Sequence, residues 1–301
     1  MPATQRQVRP FLGHRLRTLI VNSRCCVVAS RSEVLDEAFD VEASLVEAFS
    51  GDGHVCVRGL VPPEIVEAAR PAIESAAGER TKHVAPLEER DTYGKAVLQA
   101  ANLWKLDERV RRFVLARRFA SVAAALLRVD GVRLYHDQAL IKEAGGGVTP
   151  WHQDQRYWPL DSDATVTMWL PLVNVTADVG SMTFASGSHH LGDLCGPGIS
   201  DDSEAIFAEA VRDRGLRTTS HGALAVGDAT FHAGWTLHRA PANPSGRHRP
   251  VMTVIYFADG TRVSEPADEL QRFDLAVWLK GLAPGDVAAS DRNPLLFRRA
   301  R

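Results

Sequence analysis

The sequence predicts a mainly β fold with flanking α-helices. The first part of the chain has apolar residues at helical spacing, whereas from about residue 131 short β-like segments follow one another with Gly, Pro, Asn and Asp between them. Helices followed by many short, regularly spaced strands are typical of a β-sandwich or barrel supported by N-terminal helices. The chain has 301 residues, enough to bury a large core, and shows no internal repeat.

The composition is that of an ordinary globular protein, with 45% hydrophobic and 24% charged residues. A net charge of −2 argues against nucleic-acid binding, which usually shows a basic surplus. No apolar stretch approaches the roughly 18 residues of a transmembrane helix. The 4 cysteines are few and have no C-x-x-C spacing, so we expect them to be reduced thiols. We therefore expect a cytoplasmic protein that binds neither nucleic acid nor a membrane.

Residues 1–32 form a basic extension. No acidic residue precedes Glu33, whereas arginines recur at Arg6, Arg9, Arg15, Arg17, Arg24 and Arg31. This composition is typical of an organelle transit peptide, so targeting to an organelle is the alternative to a cytoplasmic location. We favour a poorly ordered extension, or a start codon assigned too early, because the serine content is only moderate. We expect residues 1–32 to be poorly ordered and residues 33–301 to form a single domain.

Residues 33–130 are predicted to form a helical buttress. Apolar spacing predicts a helix over residues 33–49, capped by Gly51, followed by a short strand over residues 54–60. Two prolines then begin a helix that runs to about residue 77. Residues 106–127 predict one or two helices with a row of arginines, which is either a solvated basic face or a site for an anionic group such as a phosphate.

Residues 131–260 are predicted to form the β core, and residues 261–301 a C-terminal tail. Alternation and turn residues predict strands over residues 132–143, 165–173, 181–184, 222–226, 229–231 and 250–258. Within the core only residues 203–214 are typical of a helix.

The stretch Trp151-His152-Gln153-Asp154 contains candidate metal ligands. On an extended strand the side chains of residues i and i+2 point to the same face, so His152 and Asp154 can aim at one point. Two histidines and one carboxylate on one face, with the other positions open, is the arrangement of non-haem Fe(II) oxygenases. The motif alone is weak evidence, because a chain with 11 His and 37 acidic residues contains about one such triplet by chance.

The third ligand has to come from a separate strand that lies alongside the first. His238 fits this requirement because it lies just before the last long apolar strand. His232 is the main alternative and His221 a weaker one, and each of them also fits a buried histidine with a hydrogen-bond partner.

Five sequence blocks follow one another in order: residues 49–60; Gln138 and Lys142 with residues 151–154; residues 169–172; residues 180–189; and residues 227–238 with Arg249. Together they resemble the phytanoyl-CoA dioxygenase family of Fe(II)- and 2-oxoglutarate-dependent oxygenases. The fold that this resemblance implies is a double-stranded β-helix, a jelly-roll-like barrel of two sheets. It agrees with the β core predicted from the strands.

The resemblance also implies roles for particular residues. His152, Asp154 and His238 would hold the iron. Arg249 would pair with the distal carboxylate of 2-oxoglutarate, since a planar guanidinium can grip a carboxylate with two parallel hydrogen bonds, and Arg247 is the alternative. Further residues are expected to line the cosubstrate pocket: Gln138, Lys142, Gln153 and Trp169. The aromatic residues around the motif are expected either to shield the site or to pack in the core: Trp151, Tyr157, Trp158 and Trp235.

The function implied by the resemblance is that of an oxidoreductase. It would be a dioxygenase that uses Fe(II), 2-oxoglutarate and O2 to hydroxylate a small organic molecule, with release of succinate and CO2. Related halogenases replace the carboxylate ligand with a small residue, so the presence of Asp154 favours an oxygenase. Desaturation, epimerisation or cyclisation by the same chemistry, and a non-catalytic jelly roll that binds a metal or ligand, are the alternatives. We expect a monomer or homodimer whose partner is a small-molecule substrate.

Overall fold

A computed structural model describes residues 33–176, 179 and 181–299 of the chain. The basic extension over residues 1–32, with the disorder or targeting role expected for it, lies outside these residues. In the described part of the chain, no helix has both the length and the hydropathy that a membrane span requires.

Helices flank two antiparallel sheets, which confirms the predicted fold class. The helices are α1 (Glu33–Asp36), α2 (Ala43–Asp52), α3 (Pro63–Thr81), α4 (Thr92–Ala96), α5 (Glu108–Val114), α6 (Arg117–Leu126), α7 (Asp201–Asp213) and α8 (Glu269–Trp278). The strands are β1 (His54–Val57), β2 (Leu98–Ala101), β3 (Gly131–Lys142), β4 (Thr149–His152), β5 (Thr165–Pro171), β6 (Thr183–Ala185), β7 (Thr218–Ser220), β8 (Ala229–Ala233), β9 (His238–Ala240), β10 (Arg249–Ala258) and β11 (Leu295–Arg298). The larger sheet has the order β1-β8-β5-β10-β3-β11, with β2 also paired to β3, and the smaller sheet has the order β4-β9-β6-β7.

The larger sheet is buried on both faces. Side chains alternate along a strand, so Met252, Val254 and Tyr256 of β10 face the main core, where they join the apolar residues of α3 and α6. Val251 and Ile255 of the same strand belong to other clusters on the opposite face. This two-sided burial explains why β10 is apolar at almost every position.

The single helix predicted over residues 33–49 is two helices in the structure, α1 and α2. The prediction that Gly51 caps it is wrong. The break between them lies against α6, where the Phe39 N–H donates to Ser121 Oγ at 2.8 Å. Helix α2 continues through Gly51 and ends at Gly53, which has φ 78° and donates its N–H to the Phe49 carbonyl. The left-handed conformation that closes a helix is easy only for glycine.

The arginine row of α5 and α6 is used within the protein. The Arg118 Nε donates to the Leu60 carbonyl oxygen at 2.6 Å, and the Arg117 guanidinium lies 4.6 Å from the Phe297 ring centroid. These contacts favour a structural and solvated basic face over a site for an anionic group.

Two predictions for the later part of the chain differ from the structure. Residues 222–226 form no strand and contribute only the isolated bridge between Leu224 and Val175. The C-terminal tail contains α8, whose first turn is capped by the Asp268 carboxylate, and β11, which pairs with β3. The sequence gives only a weak signal for α8, because the buried position of this helix is the polar Asp274, which interrupts the apolar pattern.

Gly227 joins the turn before β8 to the segment that follows β1. It has φ 99°, and a Cβ there would lie 2.2 Å from the Val61 carbonyl oxygen. The two backbones are also hydrogen-bonded, since the Val61 N–H donates to the Gly227 carbonyl at 3.1 Å. Only glycine fits this conformation and this close approach.

We expect Gly227→Ala to destabilise the protein by more than about 2 kcal/mol, because the conformational cost of about 1–2 kcal/mol adds to a backbone clash. Gly281→Ala is the matched control, since Gly281 has φ 89° but no atom within 4 Å of its Cβ position. Chemical denaturation would measure the free energy of unfolding of both variants. Equal losses of stability in the two variants would show that the predicted backbone clash at residue 227 does not occur.

Candidate active site

Strand pairing brings His152 and His238 together. The two residues are partners in the antiparallel register of β4 and β9, and their ring centroids lie 4.1 Å apart. After His152 the chain stays extended for one residue, with Gln153 at φ −120° and ψ 124°, and Asp154 begins a short 3-10 helix. The extended Gln153 returns Asp154 to the face of His152, as the i, i+2 spacing predicts.

His152, Asp154 and His238 form a cluster with the geometry of a metal site. One ligand atom of each residue lies within 4.8 Å of the other two. The Asp154 Oδ1 is 3.6 Å from the His152 Nε2 and 3.7 Å from the His238 Nε2. Two nitrogens and one carboxylate oxygen are donors that suit a divalent transition metal.

The ring nitrogens that face away from the cluster are held by backbone carbonyls. His152 Nδ1 lies 2.7 Å from the Pro150 carbonyl oxygen and His238 Nδ1 lies 2.9 Å from the Thr236 carbonyl oxygen. A carbonyl only accepts, so each Nδ1 carries the proton and each Nε2 lone pair faces Asp154. Burial lowers the pKa of both histidines below the ordinary value, which keeps both rings neutral as metal binding requires.

The second oxygen of Asp154 is held from the larger sheet. The Thr167 hydroxyl donates to Oδ2 at 2.8 Å, and His232 Nε2 lies 3.0 Å from it. Thr167 and His232 are register partners of β5 and β8. Burial alone would raise the pKa of Asp154, but the surrounding histidines, His238 first, outweigh it and hold this pKa below its ordinary value.

These contacts separate the three candidate histidines. His238 belongs to the three-residue cluster, whereas His232 contacts the opposite oxygen of Asp154. His221 lies elsewhere, with its Nε2 3.0 Å from the Nδ1 of His54. The Asp228 carboxylate is likewise structural, because it accepts from the backbone N–H of Gly59 and Ala225 and from Arg58.

A cavity of about 650 Å³ adjoins the cluster. On one side its wall is formed by Gln138, Thr253 and Trp169, which are neighbours across β3, β10 and β5. Arg249 lines the same cavity, 4% exposed, with its guanidinium carbon 5.0 Å from the Trp169 ring centroid. Burial lowers the pKa of Arg249 to about 10, so the group remains a buried cation at neutral pH.

Lys142 and Gln153 do not line this cavity, unlike the expectation for them. The Lys142 ammonium donates to the Gly147 carbonyl and to the Thr149 hydroxyl, and so holds the loop after β3. The Gln153 amide donates to two backbone carbonyls and accepts one N–H. Both side chains are buried, and these contacts within the protein supply the partners that a buried polar group needs.

Part of the remaining cavity wall comes from segments that sequence reasoning did not connect to the site. These residues are Tyr93, His136, Pro197, Gly198, Ile199, Ser200, Leu270, Phe273, Asp274 and Trp278. Residues 197–200 and α8 form the cover of the cavity. Arg156 and Tyr157 hold this cover, because Arg156 pairs with Asp268 at the start of α8 and the Tyr157 hydroxyl accepts the Ile199 N–H.

Three of the four aromatic residues around the motif take one of the two expected roles, and Trp235 takes neither. Tyr157 and Trp158 line the cavity. Trp151 packs in a core cluster, and the Trp235 indole donates to the Asp163 carboxylate at 2.7 Å.

Residues 49–251 match the model of the phytanoyl-CoA dioxygenase (PhyH) family. The chain belongs to this family. It is therefore an oxygenase whose cofactors are Fe(II), 2-oxoglutarate and O2, as the resemblance implied. No curated protein matches the chain.

Solved structures of similar fold come from enzymes with different reactions. The non-haem α-ketoglutarate-dependent carbocyclase SnoK from nogalamycin biosynthesis is 23% identical over 85% of this chain and 96% of its own, with a TM-score of 0.69. The epimerase SnoN, in complex with Fe3+, α-ketoglutarate and nogalamycin RO, is 26% identical over 84% and 97%, with a TM-score of 0.65. EctD from S. alaskensis, with 2-oxoglutarate and 5-hydroxyectoine, is 18% identical over 77% and 83%, with a TM-score of 0.58.

Proposed function

We propose that residues 33–301 form one oxygenase domain that hydroxylates a small organic molecule. In this proposal the two sheets make the double-stranded β-helix of the family, and His152, Asp154 and His238 are the Fe(II) ligands. The observation that carries the proposal is the orientation of two neutral imidazole nitrogens and one carboxylate oxygen toward a common point beside a buried cavity.

The donor set fits iron. Both histidines present a lone pair because their other nitrogens are held by carbonyls, and Asp154 stays ionised among the histidines. Three protein ligands leave the remaining coordination positions open to the cavity. When bound, iron supplies the oxidation of substrate by O2, coupled to conversion of 2-oxoglutarate to succinate and CO2.

The neighbouring groups would bind and orient the cosubstrate. Arg249 is a buried cation on the cavity wall, which suits it to grip the distal carboxylate of 2-oxoglutarate. Trp169 packs beside its guanidinium and restricts its orientation. Gln138 and Thr253 lie in the same layer and would contact the cosubstrate with polar groups. The cover over the cavity would exclude water from the bound substrate.

Ring closure or epimerisation is the second candidate outcome, and the similarity to SnoK and SnoN favours it. Both outcomes use the same site and release succinate. Succinate release screened against a compound panel would test the function, and the product mass would separate the outcomes, because hydroxylation adds one oxygen atom.

Fe(II) and 2-oxoglutarate, mixed anaerobically with the protein, should give a weak visible charge-transfer band. His152→Ala and His238→Ala should each abolish it, because each removes one nitrogen ligand. His221→Ala is the matched control, since His221 pairs with His54 away from the cluster. A band that persists in either of the first two variants would show that the ligand assignment is wrong.

Arg249→Ala should lower the affinity for 2-oxoglutarate by about 100-fold or more, because two charge-assisted hydrogen bonds are lost. Arg247→Ala should leave this affinity unchanged, since Arg247 is exposed on the surface. Titration of 2-oxoglutarate into the anaerobic Fe(II) protein would measure both affinities. If Arg247→Ala lowered the affinity for 2-oxoglutarate more than Arg249→Ala, Arg247 would be the residue that pairs with the distal carboxylate.

Thr167→Val should weaken Fe(II) binding by about 10- to 100-fold, because the Asp154 carboxylate loses a hydrogen bond that orients it. His232→Phe should act in the same way, and Thr167→Ser, which keeps the hydroxyl, should restore affinity. Thr253→Val is the control, since this buried threonine lies on the same cavity wall and donates instead to the Gln138 carbonyl. The Fe(II) affinity of each variant is measured without 2-oxoglutarate. Equal losses of Fe(II) affinity in Thr167→Val and Thr253→Val would show that Thr167 has no role in positioning Asp154.

A further inference from the structure

Asp274 is a buried carboxyl group on the wall of the cavity. It lies on α8, is 6% exposed, and accepts a hydrogen bond from the Tyr135 hydroxyl at 3.0 Å and another from the Trp278 side chain. Arg156 pairs with Asp268 at the start of α8, and Arg239, which also lines the cavity, pairs with Glu204. In the described part of the chain no salt bridge includes Asp274, so both of its partners are neutral.

The cavity therefore contains two carboxyl groups in opposite electrostatic situations. Histidines surround Asp154 and hold its pKa below the ordinary value. Burial raises the pKa of Asp274 to about 7, and the hydrogen bonds from Tyr135 and Trp278 oppose this shift without cancelling it. A buried carboxylate is unfavourable unless a positive charge compensates it. No salt bridge of the described residues supplies such a charge, so a cation in the cavity would favour the ionised form of Asp274.

The surroundings of Asp274 suit a positive group. The side chains of Tyr157, Trp158, Phe273 and Trp278 line the cavity on this side, and aromatic faces attract cations. His136 adds no positive charge at neutral pH, because burial lowers its pKa to about 4. Its ring packs against that of Trp278 at an interplanar angle of 33°, with centroids 4.5 Å apart.

We propose that this end of the cavity binds an ammonium group of the substrate. Asp274 is the counter-ion, and the aromatic side chains that line the cavity beside it surround the charge. The substrate class is an organic amine whose remaining surface is largely apolar, in keeping with the aromatic wall. This inference rests on the proposed function, because the bound amine is a substrate only if the protein is the proposed enzyme. Binding of an ammonium group can nevertheless be tested without turnover.

Benzylamine and benzyl alcohol are suitable probes, because they have nearly the same shape and only the amine is charged at pH 7. Isothermal titration calorimetry on the full chain, with Fe(II) and 2-oxoglutarate under anaerobic conditions, should give about tenfold or more tighter binding of benzylamine. Asp274→Asn should remove this preference. Glu269→Gln is the matched control, since it makes the same charge change on an exposed residue of α8 and should keep the preference.

Equal affinity of the wild-type protein for the two probes would overturn the ammonium site, and this comparison needs no variant to fold. A preference for benzylamine that persists in Asp274→Asn would also overturn it. Tighter binding of benzyl alcohol that is lost in Asp274→Asn would assign Asp274 to a neutral hydroxyl group instead. If the charge-transfer band forms but benzylamine does not bind, only the ammonium site is wrong. If benzylamine binds but the band does not form, only the proposed iron site is wrong.

Discussion

The carboxylate of Asp154 is the group on which the rest of the site depends. One oxygen faces the Nε2 atoms of His152 and His238, and the other is held by Thr167 and His232. These contacts couple the two sheets, because the two histidines that face the first oxygen come from β4 and β9 of the smaller sheet, whereas Thr167 and His232 come from β5 and β8 of the larger one. In the proposed site, a bound metal cation would compensate the buried negative charge.

The larger sheet serves the core on one face and the cavity on the other. Along β10, Met252 and Val254 pack under the helices, whereas Arg249 and Thr253 line the cavity. Because side chains alternate, a slip of one residue in the register would exchange the two sets. The pairing of β10 with β3 and β5 therefore positions the polar groups of the site, and the apolar core under α3 and α6 stabilises that pairing.

The two ends of the cavity have different structural origins. Strands β4 and β9, with Asp154 directly after β4, provide the cluster of His152, Asp154 and His238, and strands of the larger sheet provide the proposed cosubstrate end, so hydrogen-bonded register sets both positions. Residues 197–200 and α8 provide the cover, which is attached through Arg156 and Tyr157. The similar structures include a carbocyclase and an epimerase, so one sheet framework accompanies several reactions. We infer that the cover, with Asp274, carries the preference for a particular substrate.

The sequence by itself determined the fold class and indicated which residues form the cluster, because alternation, an extended His152-Gln153-Asp154 segment and ordered family blocks are local features. Only the tertiary structure places His238 in the three-residue cluster and His232 at the other oxygen of Asp154, because this difference depends on which oxygen of one carboxylate each ring reaches. The structure also placed Lys142 outside the cavity and α8 over it. Such placements result from strand register and packing between segments far apart in the chain, which no local pattern of residues encodes.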